Sequence, residues 1–581
     1  MKKLINDPRA VVREMLEGQV DLHPGQALLE TENVIVRADL PPPGDRQVAL
    51  ISGGGSGHEP AHAGYVGTGL LHAAVAGDVF TSPSVDAVLS AIRTVGGPAG
   101  AILIVKNYTG DRLNFGLAAE LASAEGIPTE VVVVADDVAL RDTVEPARRR
   151  GIAGTVLIHK IAGAASAAGH ALAEVKRVAE AAANDLGSMG VSLGACTVPA
   201  AGTPGFTLGE DEIELGLGIH GERGVERTAI QPADAIVDRL IATLVEDRRL
   251  GTGARIALLV NNLGGTPPME LAIVARRALA ELRRRGITVE RAFAGTYMTA
   301  LEMPGCSLSL LSLDDARLAL LDAPSAAPAW VADGRLPSAR QMRRGPASEQ
   351  AVAVFPAVAG AERIREFTLA VADALEAAED HLTALDSAAG DGDLGISMRR
   401  GAEALRLLPE TAWLSAPAAL SEIGATVRRA IAGSSGPFYA TALIRAARTL
   451  PRETPPTPHD WAKALRAGLD AIKELGGAKP GDRTMVDALE PAADAIDARI
   501  GQGLAVALRA ATEAAKEGAA ATAAMSPRLG RAQYLGQRAV GTVDGGAAAV
   551  AIWLGALADQ ADGRVSSFDW LPIVLGKTSG A

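Results

Sequence analysis

The stretch Val48-Ala-Leu-Ile-Ser-Gly-Gly-Gly-Ser-Gly-His-Glu-Pro60 joins a short aliphatic run to a glycine-rich segment that carries a histidine. Short aliphatic runs bounded by Gly, Asp or Asn are typical of strands buried on both faces of a parallel sheet. Segments 117–125 and 270–285 instead repeat apolar residues at helical spacing, and a further helix is expected over about 165–189. This alternation predicts an α/β fold with ligand sites at the carboxyl ends of the strands. The predicted parallel strands are 48–52, 101–105, 130–135, 155–158 and 256–260.

The later part of the chain has a different texture. Residues 331–360 combine prolines with arginine and serine and show no sustained periodicity, which is typical of a linker. Alanine-rich amphipathic segments follow, and about eight such helices joined by glycine- and aspartate-bearing loops predict an all-α bundle or barrel. The expected fold class is multidomain: two α/β domains, then an all-α barrel. The expected domains are 1–185 (α/β), 186–332 (α/β), 333–360 (linker) and 361–581 (all-α). The predicted helices are 361–383, 397–406, 420–432, 439–448, 461–475, 485–500, 503–518 and 545–561.

Composition and charge exclude several classes of function. A chain of 581 residues is too long for a single hydrophobic core. Its net charge of −12 argues against a nucleic-acid surface or an anionic membrane as partner. The two cysteines, Cys196 and Cys306, form no disulfide framework, no signal peptide follows Met1, and the apolar run 547–558 is too short to span a membrane. We therefore expect a soluble cytoplasmic protein.

Asp386-Ser-Ala-Ala-Gly-Asp-Gly-Asp-Leu-Gly395 packs three carboxylates into eight residues. The carboxylates of Asp386, Asp391 and Asp393 repel one another unless a cation lies among them, and the glycines let the backbone turn tightly enough to aim all three at one point. Hard oxygen ligands at this density suit Mg²⁺, which in enzymes commonly binds phosphate oxygens. The alternative is a solvated turn, because Asp and Gly also favour turns.

Four further loops at helix connections carry groups suited to a nucleotide. The loop 432–437 offers small residues and free backbone N–H groups, although a plain Gly/Ser connection is the simpler interpretation of it alone. The loop 476–485 adds Lys479, Arg483 and the polarizable Met485. Loops 528–534, with Arg531, and 541–546 complete the set. Each loop is weak evidence alone, but together with the carboxylates they predict one rim of a helical barrel that binds a Mg-nucleotide.

Two histidines and a Lys/Asp pair mark the N-terminal half. The glycine-rich loop after the first strand matches neither the dinucleotide fingerprint nor the P-loop, and its distinctive residue is His58. Lys106 and Asp111 follow another predicted strand, so we expect them to converge on the same crevice. His220 lies among glycines in the segment 216–222. A lone histidine is more often structural, but two in glycine-rich loops with an aspartate at a strand end favour catalysis.

Eight segments carry a resemblance to the dihydroxyacetone kinase family. Those that resemble its substrate module are GGGSGHEP (53–60), KNYTGDRLNFG (106–116), GLGIHGE (216–222) and VNNLGGTPPMEL (260–271). Those that resemble its nucleotide module are LDSAAGDGDLG (385–395), AGSSGPFYA (432–440), GDRTMVDAL (481–489) and GRAQYLGQRAVGTVDGGAA (530–548). The match covers nearly the whole chain in family order. One departure is Asp544-Gly-Gly-Ala, where the family usually has Asp-Pro-Gly-Ala; it loosens that turn.

The resemblance implies an ATP-dependent kinase whose His220 bonds covalently to a ketose carbonyl as a hemiaminal, which selects carbonyl compounds over polyols such as glycerol. It implies that Asp111, assisted by His58, takes the proton of the attacking hydroxyl. Asp386, Asp391 and Asp393 would hold two Mg²⁺ on the ATP phosphates. The implied substrate contacts are Gly55, Ser56, Gly57, His58, Lys106, Asp111 and His220. The implied nucleotide contacts are Leu394, Gly395, Ile396, Ser397, Ser434, Ser435, Gly476, Met485, Arg531, Asp544, Gly545 and Gly546.

The family also implies a homodimer, with nucleotide modules exchanged between chains, and a place in glycerol and carbohydrate metabolism. Acceptor and donor groups lie in different modules, and the linker has the reach for a meeting within one chain or across a dimer. Dihydroxyacetone, glyceraldehyde and erythrulose stay open as substrates. The alternatives are a tetrulose kinase, a lyase that forms cyclic FMN from FAD, and a non-catalytic ketose sensor or phosphotransfer subunit. Neither nucleic acid nor membrane is an expected partner.

Overall fold

The computed structural model describes residues 2–345, 355–431 and 433–564, and the chain divides into two compact units, Met1–Arg344 and Gly345–Ala581. The first unit is α/β and the second is helical, which confirms the coarse assignment made from the sequence. The division falls inside the linker predicted over 333–360. Residues 346–354 of that linker, Ala432 and the segment 565–581 lie outside the described residues.

The first sheet lies in the N-terminal third of the chain. Its described strands are β1 (Gln26–Leu28), β2 (Val34–Arg37), β3 (Ala49–Ser56), β4 (Ala73–Val79), β5 (Ala101–Lys106) and β6 (Thr129–Val134). They are ordered β1-β2-β4-β3-β5-β6, with β4, β3, β5 and β6 parallel to one another and β2 antiparallel to both of its neighbours. The predicted strands 48–52 and 101–105 are β3 and β5, which each have a neighbouring strand on both sides. The predicted strand 130–135 is instead an edge strand, with Val133 38% exposed.

The second sheet is mixed rather than parallel. Its described strands are β7 (Leu186–Ser192), β8 (Glu212–Leu215), β9 (Glu226–Ala229), β10 (Arg255–Asn262), β11 (Thr288–Gly295) and β12 (Gly305–Ser312), in the order β11-β10-β12-β7-β8-β9. Strand β10 pairs in parallel with β11 and antiparallel with β12. The expectation of a parallel strand at 256–260 was therefore right for one neighbour and wrong for the other.

Helices cover both sheets of this unit. They are α1 (Val11–Leu22), α2 (Val85–Val95), α3 (Thr109–Ala124), α4 (Thr155–Ala167), α5 (Leu172–Asn184), α6 (Ala233–Asp247), α7 (Pro268–Arg284) and α8 (Asp315–Asp322). Alternate residues of the first sheet face different cores. Leu50 and Ile104 pack with residues of α1, α4 and α5, whereas Ile51 and Leu103 pack with α2 and α3. Leu259 of the second sheet joins the first of these cores, so the core that contains α4 is shared by both sheets.

The predicted strand 155–158 is wrong, because these residues begin helix α4. From Thr155 to Ser166 every residue of α4 is buried, and a helix that is apolar all round shows no amphipathic stripe. A short, fully apolar run cannot be assigned to strand or helix from periodicity alone. The helix expected over 165–189 is also wrong in its bounds, since α4 ends at Ala167, α5 ends at Asn184, and Met189 lies in strand β7.

The second unit is helical throughout its described residues apart from loops. Its α-helices are α9 (Glu362–Ala377), α10 (Glu379–Ala389), α11 (Leu394–Arg406), α12 (Ala416–Ala430), α13 (Ser435–Thr449), α14 (Pro458–Gly476), α15 (Val486–Arg499), α16 (Leu504–Ala521) and α17 (Gly545–Asp562). The helix predicted over 361–383 is divided in two at Ala378, whose ψ of 7° leaves the helical range. Neither Gly nor Pro marks this break, so the sequence carries no signal for it. Among the described residues, no helix is long and apolar enough to cross a bilayer.

Two helical glycines provide a matched test of this packing. A Cβ added at Gly163 of α4 would lie 2.5 Å from Leu70 Cα and from the Gly69 carbonyl oxygen, which are backbone atoms. We expect Gly163→Ala to destabilise the first unit by about 1–3 kcal/mol, because a packed backbone cannot move aside. Gly116 of α3 has no atom within 4 Å of the added Cβ, so Gly116→Ala should stabilise by about 0.5–1 kcal/mol through helix propensity. Urea denaturation of both variants measures the difference, and equal effects would contradict the assigned packing of α4.

Candidate active site

One crevice of the first unit collects residues from the carboxyl edge of its first sheet. Strands β3 and β5 are parallel neighbours. His58 follows the end of β3, Lys106 is the last residue of β5, and Asp111 lies in the first turn of α3. His220 comes from the loop after β8 of the second sheet, and its ring centroid lies 4.9 Å from that of His58. The two sheets therefore bring residues more than a hundred positions apart into contact.

His58 is held in a single tautomer. Its Nδ1 lies 2.8 Å from the backbone carbonyl oxygen of Thr299. A carbonyl oxygen only accepts, so Nδ1 carries the hydrogen and Nε2 carries the lone pair. That Nε2 is buried and has no hydrogen-bond partner among the described residues. Burial, together with the neighbouring His220 ring and the charge of Lys106, holds the pKa of His58 well below its usual value, so the ring is neutral and Nε2 can accept a proton.

His220 is oriented by Glu222. Its Nδ1 lies 2.9 Å from Glu222 Oε1, and its backbone N–H donates to Glu222 Oε2 at 2.9 Å. Burial alone would raise the pKa of Glu222, but the hydrogen bonds that it accepts from the His220 ring and backbone outweigh burial and lower the pKa to about 2. Glu222 is therefore an anion that accepts from Nδ1–H, which leaves the lone pair of His220 on Nε2.

Aromatic side chains pack around His58 and His220. Phe80 stacks on His58 with ring centroids 5.2 Å apart and meets His220 edge-on at 5.1 Å. Tyr108 contacts the His220 ring edge-on at 4.6 Å. The Tyr108 hydroxyl is buried and has no partner in the part of the chain that the structure describes. Burial raises its pKa well above the ordinary value, so this hydroxyl keeps its proton and can donate it in a hydrogen bond.

Lys106 and Asp111 meet against Gly54. A Cβ added at Gly54 would lie 2.6 Å from Lys106 Nζ and 3.5 Å from Asp111 Oδ2, and the φ of Gly54, +146°, also favours glycine. Both side chains are buried, at 0% and 3% exposure. Burial lowers the pKa of Lys106, and the carboxylate of Asp111 opposes this. Asp111 Oδ1 is another buried atom without a partner among the described residues.

The glycines of this segment lie in a strand, not in a loop. Strand β3 extends to Ser56, so the loop predicted over 53–57 is wrong for its first four residues. A Cβ added at Gly55 would lie 2.5 Å from the Thr81 backbone N, and one at Gly57 would lie 2.8 Å from the Phe80 ring. Ser56 donates its hydroxyl hydrogen to the Gly77 carbonyl at 2.7 Å. Neighbouring chain segments therefore occupy the space that a side chain at Gly55 or Gly57 would need.

In the second unit the three predicted metal ligands lie together. Oxygen atoms of Asp386, Asp391 and Asp393 are all within 4.8 Å of one another. Asp386 belongs to α10 and Asp393 precedes α11, so only Asp391 lies well inside the loop where all three were expected. Asp386 Oδ2 accepts from the Asp393 backbone N–H at 2.9 Å. Arg531 forms an ion pair with Asp391.

The predicted nucleotide contacts lie mainly at the first turns of helices, where backbone N–H groups are free. Leu394 to Ser397 begin α11, Ser434 and Ser435 begin α13, Met485 precedes α15, and Asp544 to Gly546 begin α17. Gly476 ends α14, and Arg531 opens a short 3-10 helix.

Three close contacts link several of these helix ends. A Cβ at Gly545 would lie 2.7 Å from the Leu394 side chain, and one at Gly546 would lie 3.6 Å from Met485 Cβ. A Cβ at Gly476 would lie 2.8 Å from the ring of Phe438 in α13. The starts of α11, α15 and α17 therefore lie side by side, and the end of α14 lies at the start of α13.

Two charged groups lie beneath this set of helix ends. Asp544 accepts from the Ala547 backbone N–H at 2.9 Å, and burial raises its pKa to about 6 despite that bond and the charge of Arg483. Arg483 is 1% exposed and donates to the Ala539 and Thr542 carbonyl oxygens. Its Nε and one terminal nitrogen have no partner within the described residues.

Sequence reasoning missed four groups of the crevice. Glu222 and Tyr108 lie inside quoted motifs, and only their spacing to His220 and Lys106 could have drawn attention to them. Phe80 and the carbonyl of Thr299 come from segments that carry no motif. Their contacts with the histidines join distant parts of the chain, so no local pattern predicts them.

The buried histidines give a test by pH. Burial, with the charge of Lys106, lowers the pKa of His159 to about 3, whereas an unfolded histidine titrates near 6.5. Below pH 6.5 the unfolded chain binds the proton and the folded chain does not. The contribution of His159 to the free energy of unfolding is therefore fully present above pH 6.5, and it falls by about 1.4 kcal/mol per pH unit as the pH drops toward 3. His159→Leu should remove this slope between pH 6.5 and 5, measured by denaturation. Parallel profiles for the variant and the parent protein would contradict the assignment.

Comparisons with known proteins agree with the division into two units. Residues 17–329 match the Dak1 domain and residues 388–559 match the DAK2 domain. The chain is 43% identical to a putative 3,4-dihydroxy-2-butanone kinase of Solanum lycopersicum, over 96% of this chain and 98% of that protein. It is also 43% identical to the triokinase/FMN cyclase of Homo sapiens, with the same coverage.

A solved structure resembles the whole chain. The dihydroxyacetone kinase of C. freundii, in complex with AMP-PNP and Mg²⁺, aligns with a TM-score of 0.63 at 36% identity, over 96% of this chain and 99% of the other. Both domains and nearly the full length are thus matched in one polypeptide. The chain belongs to the dihydroxyacetone kinase family, in the form that carries a Dak1 and a DAK2 domain together.

Proposed function

We propose that this protein is an ATP-dependent kinase that phosphorylates dihydroxyacetone or a closely related short ketose. The observation that carries the proposal is a set of buried polar atoms at this edge of the first sheet that have no partner among the described residues: His58 Nε2, Asp111 Oδ1 and the Tyr108 hydroxyl. Unpaired buried polar atoms are costly, so such a set indicates a polar ligand. Two acceptors and a hydroxyl donor, next to the Lys106 ammonium, complement a small molecule with hydroxyl and carbonyl groups.

The first step is addition of His220 to the ketose. Because Glu222 accepts from Nδ1–H, the Nε2 lone pair is free to attack the carbonyl carbon. A C–N bond forms, the C=O π bond breaks, and its electron pair stays on the oxygen, which takes a proton from water to become the hemiaminal hydroxyl. The positive charge that develops on the ring lies against the Glu222 carboxylate, which accepts the Nδ1 proton or stabilises it in place.

The second step is deprotonation of the hydroxyl that receives phosphate. Asp111 Oδ1 and neutral His58 Nε2 are both free to accept that proton. Lys106, held at Gly54, lies beside Asp111 and offers positive charge to the developing alkoxide. Gly55, Ser56 and Gly57 support this arrangement by fixing the end of β3. In the proposal His220 binds, Asp111 and His58 accept protons, and Lys106 orients and stabilises.

The donor side fits Mg²⁺ and ATP. The carboxylates of Asp386, Asp391 and Asp393 supply oxygen ligands of the kind Mg²⁺ prefers, and their atoms converge within 4.8 Å. A Mg²⁺ ion held by these three residues would neutralise charge on the phosphates of ATP. Backbone N–H groups in the first turns of α11 and α17, such as those of Gly395 and Gly546, suit phosphate oxygens. Arg531 supplies a guanidinium, and Met485 an apolar surface for a base.

The proposal also includes the barrel arrangement of the helices, the domain boundaries and the dimer. Successive packing of α9, α11, α12, α13, α14, α15, α16 and α17, with α17 returning to α9, supports an eight-helix barrel. Domain boundaries at 185/186 and 332/333 are supported by the first sheet ending at Val134 and the second spanning Leu186–Ser312. A homodimer with exchanged nucleotide modules stays a prediction, which sedimentation of the full chain tests.

A substrate panel tests the kinase directly. The purified protein should transfer phosphate from Mg-ATP to dihydroxyacetone, glyceraldehyde or an erythrulose enantiomer, and not to glycerol, because glycerol has no carbonyl for His220. Coupled release of ADP measures each rate. Absence of phosphorylation of every ketose with ATP as donor would contradict the proposal.

Replacing Glu222 tests how His220 is activated. Glu222→Gln keeps an acceptor oxygen for Nδ1–H but removes the negative charge, so it should lower kcat/KM for the ketose by about 10- to 100-fold, in proportion to the loss of a charged hydrogen bond. The KM for ATP should not change. Glu226→Gln, an exposed carboxylate in the following strand, is the control. A kcat/KM unaffected by Glu222→Gln would show that His220 does not depend on this anion.

Replacing one carboxylate tests the metal site. Asp393→Asn should weaken Mg²⁺-dependent binding of AMP-PNP by about tenfold or more, because the cation loses one charged ligand. Asp380→Asn, an exposed aspartate at the start of α10, serves as the matched control and should bind as the parent protein does. Calorimetry at fixed nucleotide and varied Mg²⁺ measures both. Equal affinities for the two variants would place the metal elsewhere.

A second candidate activity rests on the human relative, which is named a triokinase/FMN cyclase and is matched over 96% of this chain. The same helical unit would then act on FAD as a lyase, releasing AMP and cyclic FMN. Incubation with FAD and Mn²⁺ in the absence of any ketose, followed by chromatography of the flavin, tests this. Unchanged FAD would leave the kinase as the sole activity proposed.

A further inference from the structure

A chain of hydrogen bonds links Lys106 of the acceptor crevice to two buried residues, Ser52 and His62, that have no role in the proposed reaction. It consists of Ser52 on β3, His62 in the segment that follows, and Lys106 on β5, all buried at 6% exposure or less. Ser52 Oγ lies 2.7 Å from the Ile104 carbonyl oxygen and 3.4 Å from His62 Nδ1. Lys106 Nζ lies 2.8 Å from His62 Nε2.

The directions of these bonds follow from the carbonyl at one end. The Ile104 oxygen only accepts, so the single Ser52 hydroxyl hydrogen is donated to it. The Ser52 oxygen can then interact with His62 only as an acceptor, which puts the ring hydrogen on Nδ1. His62 Nε2 therefore carries the lone pair and accepts from the Lys106 ammonium. Burial and the nearby charge of Lys106 hold the pKa of His62 well below its usual value, in agreement with a neutral ring.

The chain ends at the reacting groups. An ammonium has three N–H donors, and Lys106 uses one for His62 Nε2 and another for the Gly53 carbonyl at 3.4 Å. The remaining donor is available at Gly54, against which Asp111 also lies. A lysine side chain has four rotatable bonds and loses much entropy when it is fixed. A bond that fixes the ammonium before substrate arrives removes part of that cost from binding.

We propose that His62 is a positioning residue of the acceptor site, which accepts a hydrogen bond from Lys106 and so holds the ammonium ready for the oxygen of a small hydroxycarbonyl substrate. The proposal rests on the proposed function for the identity of that substrate. His62 touches no substrate itself and acts through Lys106. Ser52 fixes the neutral, Nδ1-protonated form of His62. Strands β3 and β5, which carry Ser52 and Lys106, therefore also determine the direction in which Lys106 donates its hydrogen bond.

Paired substitutions separate positioning from packing. His62→Gln keeps an acceptor oxygen near the place of Nε2, whereas His62→Leu keeps the volume and loses the acceptor. His159→Leu is the matched control, because His159 packs edge-on against His62 with centroids 5.1 Å apart and neither of its ring nitrogens has a partner within the described residues. His62→Leu should weaken dihydroxyacetone binding by about 10- to 100-fold and raise its KM, with the KM for ATP unchanged. His62→Gln and His159→Leu should stay close to the parent protein.

Ketose affinity is measured by calorimetry without nucleotide, so it does not depend on turnover. If His62→Leu binds dihydroxyacetone as tightly as His159→Leu does, the proposal is overturned. Should His62→Leu fail to fold, His62→Gln is compared with His62→Asn. The shorter Asn amide reaches toward Ser52 and not toward Lys106, so only the Asn variant should lose affinity.

A thermal double-mutant cycle with Lys106→Met keeps the test independent of the kinase assignment. His62→Leu should lower the unfolding midpoint less when Lys106 is already methionine, since no ammonium is then left unpaired. If the changes in unfolding midpoint of the two single variants add up to that of the double variant, the result would contradict a His62–Lys106 bond. A parent protein that binds dihydroxyacetone without phosphorylating it would refute the kinase proposal, while the affinities and the cycle would still decide the role of His62.

Discussion

The acceptor crevice depends on backbone packing against backbone at its floor. A Cβ at Gly53 would lie 2.3 Å from the Val75 carbonyl oxygen, and one at Gly77 would lie 2.0 Å from that of Thr81. Only glycine allows the chain at the end of β3 to lie this close to β4 and the segment after it. That approach fixes where His58 leaves β3 and where Phe80 leaves β4. The positions of the reacting groups therefore depend on the absence of side chains at Gly53 and Gly77, which lets the chain carry His58 to its place in the crevice.

The acceptor and donor sites use opposite electrostatic environments. In the acceptor crevice His58, Lys106 and Asp111 are buried, so the hydrogen bonds and charges around them act through little screening. In the second unit Asp391 and Asp393 are exposed, so a hydrated cation has access to their carboxylates. Proton chemistry suits the first environment and metal-nucleotide exchange suits the second. This difference in burial matches the division of labour that we propose between the two domains.

Much of the fold followed from the sequence, and the errors have physical causes. Aliphatic runs predicted the interior strands β3 and β5 because strands buried on both faces need no polar residues. The same rule failed at Thr155, because α4 is buried between two sheets and is equally apolar. Glycines predicted a loop at 53–57, yet these residues are strand, since a missing side chain serves close strand packing as well as it serves a turn. The carboxylate cluster was predictable because its three members are adjacent in sequence, whereas the contact between His58 and Thr299 joins segments 241 residues apart.

The ion pair between Arg531 and Asp391 gives the carboxylate cluster a counter-ion of its own. Mutual repulsion among the three aspartates is therefore partly balanced by the protein itself, which reduces the cost of assembling them. A cation that takes Asp391 must exchange with the guanidinium, and that exchange leaves Arg531 with an uncompensated charge at the same rim. Arg531, no longer paired with Asp391, would then attract any polyanion that binds together with the metal. In the donor site that we propose, such a rim would favour metal and phosphate together over either one alone.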